Sequence, residues 1–247
     1  MLLSPKRWGV IPARAASTRF PNKVLASVAG KPLVQRVWEA AQQSRLLQKV
    51  VIAVDCERVF QAVCGFGATA IMTPPSLPSG TDRVFDVVKD TGAELIVNLQ
   101  GDEPLLEAGA IDALIEGLES DSACGMATLA VPRSVDVHYW SPHVVKLQFD
   151  DSGRVQDFSR VGFGEGRAFF KHLGVYAFRK ETLKTFCSLP PSPREQDERL
   201  EQLRAIENGI GIKAVVWNTD TIAVDTPEDI ARVEAALKER TKGTLYA

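Results

Sequence analysis

The chain has 247 residues, of which 45% are apolar and 24% charged, and its formal net charge is −2. That balance excludes a disordered chain, and the lack of a basic excess speaks against nucleic acid as a partner. No stretch approaches the ~18 apolar residues of a membrane span, and Met1 to Val10 carries two basic residues and no apolar run of secretory length. A cytoplasmic protein with no membrane insertion is therefore expected. The four cysteines, Cys56, Cys64, Cys124 and Cys187, form no C-x-x-C pair, which suits buried thiols in a reducing cytosol better than a zinc ribbon or a redox pair.

In chain order, Trp8 to Ile11 is a short apolar run cut by Pro12, and predicts a first buried strand. A polar loop follows to Lys31. Pro32 then suits a helix start, with Leu33, Val37 and Ala40/Ala41 as its apolar stripe. Val50 to Val54 reads as a second buried strand. A helix near Glu57–Gly65 and a strand at Ala68–Met72 come next. Ser79 to Thr81 predicts the cap of a helix through Val87 and Val88. Leu95–Leu99, Ala108–Leu118 and Gly125–Val131 continue as strand, helix and strand. This alternation predicts an α/β protein with a mostly parallel, doubly wound sheet.

The middle of the chain reads differently. Val144–Phe149, Arg154–Ser159 and Phe169–Phe178 are strand-like, and Asp150-Asp151-Ser152-Gly153 makes a hairpin turn between the first two. A β-rich lobe at about residues 132–190 is predicted as an excursion from the first sheet. Helices return at about Glu195–Asn208 and Pro227–Lys238, with a strand at Ile212–Trp217 between them. Without repeats or composition shifts, residues 1–247 are read as a single domain.

Ligands of open α/β sheets bind beyond the carboxyl ends of strands, so the loop after the first strand holds a favoured place. It carries Arg14, Arg19 and Lys23 among small residues, with Ser17, Thr18 and Pro21. Arginine offers bidentate donors and lysine a compact charge, a set suited to a polyphosphate; a merely solvated basic loop has the same composition. The Rossmann and P-loop glycine patterns are absent, which disfavours a dinucleotide enzyme or a P-loop kinase. Asn98-Leu99-Gln100-Gly101-Asp102-Glu103-Pro104 ends a strand, so Asp102 projects from the carboxyl edge as a candidate Mg²⁺ ligand, or else belongs to an ordinary Gly-Asp turn. In Val224-Asp225-Thr226-Pro227-Glu228-Asp229, capping explains Thr226 onward, but not Asp225, a second candidate metal ligand. Two carboxylates and three cations supply what nucleotidyl transfer needs: positioning and charge neutralisation.

These segments resemble the 3-deoxy-manno-octulosonate (Kdo) cytidylyltransferases, from about Trp8 to Leu237. The resemblance rests on Pro12-Ala13-Arg14-x-x-Ser17-x-Arg19-x-Pro21-x-Lys23, Ser79-Gly80-Thr81-Asp82-Arg83 and Asn98-x-Gln100-Gly101-Asp102-Glu103-Pro104. It continues through Met126-Ala127-Thr128, Phe158-Ser159-Arg160, His172-Leu173-Gly174-x-Tyr176, Glu201-Gln202-Leu203-Arg204 and the segment Val224 to Asp229. It implies a fold like that of the nucleotide-diphospho-sugar transferases, and a reaction in which the anomeric hydroxyl of Kdo attacks the α-phosphate of CTP to give CMP-Kdo and pyrophosphate for lipopolysaccharide synthesis. It further implies that Arg14, Arg19 and Lys23 hold the triphosphate and that Asp102 and Asp225 bind Mg²⁺. Ser79 and Gly80 fall on the cytidine side, with Gln100 at the junction of nucleotide and sugar. His172, Tyr176, Glu201 and Gln202 line the sugar pocket, with Arg160 near the sugar carboxylate. The β-rich lobe implies sugar binding and a homodimer contact.

Two departures from the family pattern stand out. Arg160 is followed by the short, glycine-rich Val161-Gly162-Phe163-Gly164-Glu165-Gly166-Arg167, and Leu77-Pro78 precedes Ser79 where a histidine is common. They keep open a modified Kdo or a sialic-type acid as the sugar, and a catalytically silent nucleotide-binding protein. His172 and Tyr176 lie four apart on a strand and face one side, as pocket or as core; Glu201 and Gln202 sit in a charged helix that also suits solvent. His138 and His143 match no motif.

Overall fold

The structure is a computed structural model that describes residues 6–15, 20–136, 139–164 and 168–244. Its first strand, β1 (Arg7–Ala13), is buried over most of its length and ends in the polar loop that the sequence singles out. A 3₁₀ turn at Lys23–Leu25 and a small ribbon of β2 (Ser27–Val28) and β3 (Lys31–Pro32) lead into α1 (Leu33–Ala41), with Pro32 in the N-cap position. Next come β4 (Lys49–Val54), α2 (Glu57–Gly65), β5 (Thr69–Met72), α3 (Gly80–Val88), β6 (Leu95–Asn98), α4 (Ala108–Ser120) and β7 (Met126–Ser134). These follow the predicted alternation, with ends shifted by a few residues.

The rest of the chain comprises β8 (Lys146–Phe149), β9 (Val155–Ser159), β10 (Ala168–Arg179), α5 (Lys180–Ser188), α6 (Pro193–Glu198), α7 (Gln202–Glu207), β11 (Ile212–Val216) and α8 (Pro227–Thr244). The main sheet runs β11-β7-β10-β6-β1-β4-β5. Strand pairs β1–β4, β1–β6, β4–β5 and β11–β7 are parallel, while β10 is antiparallel to both β6 and β7. The sheet is therefore mixed, with β6, β1, β4 and β5 all parallel, and carries helices on both faces. Side chains of α1, α2 and α4 share one apolar cluster with one face of the sheet; those of α3, α5 and α7 share a second cluster with the other.

Three features differ from the sequence reading. Phe169–Phe178 is not part of an excursion: as β10 it runs through the middle of the main sheet, pairing Tyr176 with both Asn98 and Thr128. Alternation alone does not say which strand a run will pair with, and this pairing is non-local. Of the three strand-like runs in this stretch, the first two form the β8–β9 hairpin, which stands off the main path and is attached through β10. Second, α5 occupies a stretch within the predicted β-rich span, buried through Leu183 and Phe186. Third, the single helix expected at Glu195–Asn208 is two short helices, broken by Arg199 in the left-handed conformation (φ 55°). A buried Glu195–Arg204 ion pair holds them together, Arg204 Nε donating to Glu195 Oε2 at 2.8 Å.

Candidate active site

The chain leaves β1, builds β4 and β5 to one side, then returns to place β6 on the other side of β1. Loops from the carboxyl ends of β1 and β6 consequently face one another across the point where strand order reverses, the usual location of a ligand crevice. The two loops touch: a Cβ built on Gly101 would lie 3.0 Å from the carbonyl of Pro12, so glycine permits the approach. The start of α3 at Gly80 also lies against the Pro12 ring, at ordinary contact distance.

Lys23 is the meeting point of three distant segments. Its Nζ lies 2.7 Å from Asp102 Oδ2 and 3.4 Å from Asp225 Oδ1. The Lys23 side chain is 13% exposed, whereas those of Asp102 and Asp225 are 29% and 44% exposed. Asn22, in the left-handed conformation that asparagine tolerates, turns the chain into the 3₁₀ turn that carries Lys23. Asp225 is brought in by a backbone bond, Val224 N–H to Asp102 O at 2.9 Å. Packing of Val224 and Val233 against Val28, Leu33 and Leu105 reinforces that approach. The N-terminus of α8 is closed by Asp229, whose Oδ2 accepts from the N–H groups of Asp225 and Thr226 at 3.1 and 3.0 Å. The closure of the α8 N-terminus by Asp229 and the approach of the Asp225 carboxylate to Lys23 thus coexist.

Arg14 is exposed at the end of β1, and Arg19 and Ser17 lie outside the described residues. Ala15, the last described residue before them, donates its N–H to Asp55 Oδ1 at 3.0 Å. Asp55 is also 3.9 Å from Arg83, a fully buried guanidinium that donates to Thr73 Oγ1 and to the Pro74 carbonyl. Burial lowers the Arg83 pKa, Asp55 opposes this, and the nearby Arg14 charge adds to it. Ser79 is engaged as the cap of α3: its hydroxyl accepts from Asp82 N–H at 3.1 Å and donates to Asp82 Oδ2 at 2.6 Å.

Beside this centre lies a cleft of about 970 Å³, which Asp225 shares. Its wall includes His172, Gly174, Tyr176 and Gln202. Gln100 sits behind Gly174, its Cγ 3.8 Å from where a Cβ on that glycine would be. His172 is 8% exposed, its Nε2 2.9 Å from Thr128 Oγ1, and its ring is flanked by Phe158 and Tyr176 at 4.9 and 5.5 Å between centroids. The pocket and core readings of this pair both hold, because the cleft wall is also the edge of an apolar cluster. Burial, aided by the Lys171 charge, lowers the His172 pKa to about 3, so the imidazole is neutral. Burial also raises the Tyr176 pKa, with Glu201 contributing.

Glu201 and Gln202 do not face open solvent. Gln202 is buried, and Glu201 Oε1 accepts from Thr81 Oγ1 at 2.5 Å, while Thr81 accepts from Asn98 Nδ2 at 3.1 Å. Arg160 is placed differently from what the resemblance implies. Its guanidinium donates to the carbonyls of Glu198 (2.7 Å), Pro142 (2.8 Å) and Arg199 (3.3 Å), and it is absent from the cleft lining. The structure adds residues that the motifs did not assign. Lys171 donates to Asp220 Oδ1 (2.6 Å) and Thr221 O (3.0 Å) on the cleft wall, Arg133 pairs with the same Asp220, and the buried Glu103 has its pKa raised to about 7, by burial first and Asp102 second. No short motif links Lys171 with Asp220 because they meet only through the fold.

Among the described residues no group of three or more His, Cys, Asp or Glu side chains gathers to hold a metal. Asp102 and Asp225 reaching one cation are, however, a donor set of hard oxygens of the kind Mg²⁺ takes together with substrate phosphates and water. No helix among the described residues is long and apolar enough to cross a membrane.

Comparison with known proteins adds a name to this geometry. A family profile described as Cytidylyltransferase matches residues 8–215. A 3-deoxy-manno-octulosonate cytidylyltransferase from Chloroherpeton thalassium is 45% identical over 241 residues, covering 94% of this chain and 98% of the relative. Its counterpart from Geobacter sulfurreducens is 43% identical over 245 residues, covering 93% and 98%. The solved structure of a CMP:2-keto-3-deoxy-manno-octonic acid synthetase complexed with CTP superposes with a TM-score of 0.89 at 37% identity, covering 95% of this chain and 99% of that one. The chain is a cytidylyltransferase and belongs to the 3-deoxy-manno-octulosonate cytidylyltransferase family.

Proposed function

We propose that this protein couples CTP to 3-deoxy-D-manno-octulosonate, releasing pyrophosphate and yielding CMP-Kdo for lipopolysaccharide biosynthesis, with Mg²⁺ and as a cytoplasmic homodimer. The observation that carries the reading is the convergence of Lys23, Asp102 and Asp225 at the mouth of a cleft walled by His172, Tyr176 and Gln202. Arg14, Arg19 and Lys23 bind the triphosphate and orient its α-phosphate, a task of positioning and electrostatics. Asp102 and Asp225 would hold the Mg²⁺, which when bound neutralises phosphate charge. Gln100, beside Gly174, marks the boundary between nucleotide and sugar. The neutral His172 contributes a hydrogen-bonding ring without adding charge to a cleft that receives an acid.

The test is pyrophosphate release from CTP and Kdo with and without Mg²⁺. Turnover is expected with both substrates and the metal, and none in excess chelator; undiminished turnover in chelator contradicts the metal assignment. The engagement of Arg160 by backbone carbonyls favours keeping a second sugar in view, a modified Kdo. Equal or better turnover with another acidic sugar in the same assay would move the substrate assignment to that sugar.

A further inference from the structure

Lys146 is fully buried, yet its ammonium has no carboxylate partner in the hydrogen bonds it makes. It donates instead to two backbone carbonyls, Ser141 O at 2.9 Å and Arg160 O at 2.7 Å, and faces the Tyr139 ring at 5.7 Å. Burial lowers its pKa and the adjacent Arg160 charge lowers it further. A buried cation placed beside another cation is costly, so a compensating role is expected of the contacts it makes.

Those contacts connect the walls of the cleft. Ser141 to Val145 forms one wall, and the chain after Arg199, with Leu200 and Gln202, forms part of the other. Lys146 holds the turn at Ser141 to the corner at Arg160. The Arg160 guanidinium then reaches Pro142 O, between the wall residues Ser141 and His143, and the carbonyls of Glu198 and Arg199, just ahead of the wall residue Leu200. Arg199 is the left-handed break from which Glu201 and Gln202 follow. On the first wall, Val145 O accepts from His172 N–H at 2.8 Å, tying the same corner to β10.

We propose that Lys146 and Arg160 form a two-cation clasp on backbone carbonyls that sets the spacing of the two cleft walls, making both of them positioning residues for the acidic sugar and not its ligands. The clasp rests on the reading that this cleft takes the sugar. Lys146→Met keeps the bulk of the side chain and removes the donors. It is expected to raise KM for Kdo by about fivefold or more, with KM for CTP changed by less than about twofold. Lys146→Arg, which can still donate to both carbonyls, restores part of the loss.

Arg160 separates the clasp from a direct carboxylate contact. A direct charge contact predicts that Arg160→Lys retains sugar affinity that Arg160→Gln loses. The clasp predicts that both variants raise KM for Kdo alike, since lysine cannot reach three carbonyls at once. The double variant Lys146→Met/Arg160→Gln is expected to be no worse than about the worse single variant, because both act through one unit. An unchanged KM for Kdo in Lys146→Met, or an equal rise for CTP, overturns the proposal; if that variant does not fold, the Arg160 pair decides it. Gln202→Ala, measured alongside, tests the cleft itself. If it moves KM for Kdo while Lys146→Met does not, only the clasp fails; if Gln202→Ala leaves KM for Kdo unchanged, the sugar assignment of the cleft fails.

Discussion

Lys23 holds a charge that both Asp102 and Asp225 reach, and each of the three is only partly exposed. Neutralising any one of them leaves the remaining charges without their complement at the place where triphosphate is to be held. Lys23→Met, Asp102→Asn and Asp225→Asn are each expected to cut turnover by more than about tenfold, roughly 1.4 kcal/mol of barrier. Pyrophosphate release checks this, and a wild-type rate in Asp225→Asn removes that residue from the site. His172 makes a different prediction. Its pKa of about 3 in the folded chain lies below the ordinary histidine value of 6.5. The unfolded chain therefore binds the extra proton between those values, and stability falls as pH drops from about 6.5 toward 3. Melting temperatures across that window should decline more steeply for the wild type than for His172→Gln. Parallel curves would show that the imidazole is not held neutral.

At the scale of elements, α6 and α7 show how one residue redirects a helix. Ser192 and Glu195 make a capping box and Pro193 takes the first helical position, so the start at Pro193 is encoded locally. The stop at Arg199 is not: a left-handed arginine is unfavourable by itself and is held by its surroundings, which include Arg160 on its carbonyl. The buried Glu195–Arg204 pair fixes the angle between the helices and so the position of Gln202. Arg204→Met strands a buried carboxylate and is expected to cost about 3–5 kcal/mol, measured by urea unfolding. Replacing both partners by apolar residues should cost less than Arg204→Met alone. A neutral Arg204→Met would mean that the pair is not what joins α6 to α7.

For the molecule as a whole, the site draws on three segments far apart in the chain, those of Lys23, Asp102 and Asp225. A ligand that engages all three binds the folded state and not the unfolded chain. At a hundredfold excess over its Kd it stabilises by about 2.7 kcal/mol. CTP with Mg²⁺ is therefore expected to raise the melting temperature, and CTP with chelator to raise it less. Equal shifts would separate nucleotide binding from the metal. Sedimentation equilibrium tests the proposed dimer, for which a mass about twice 27.0 kDa is expected; a single-chain mass at micromolar concentration would remove it.

Local chemistry determined much of this protein. The apolar runs at Val50–Val54 and Leu95–Leu99 and the cap at Ser79 act within a few residues, so the alternation of strands and helices in the first half of the chain is legible in the sequence. The motifs also named the carboxylates, because Asp102 follows a strand end and Asp225 stands one place before a cap. What only the tertiary structure decided is who meets whom. The entry of β10 between β6 and β7, the Lys171–Asp220 pair and the seating of Arg160 on three carbonyls join residues many positions apart. Such contacts depend on which edge a strand pairs with and which backbone a side chain then reaches, and neither is written in the spacing of the residues themselves.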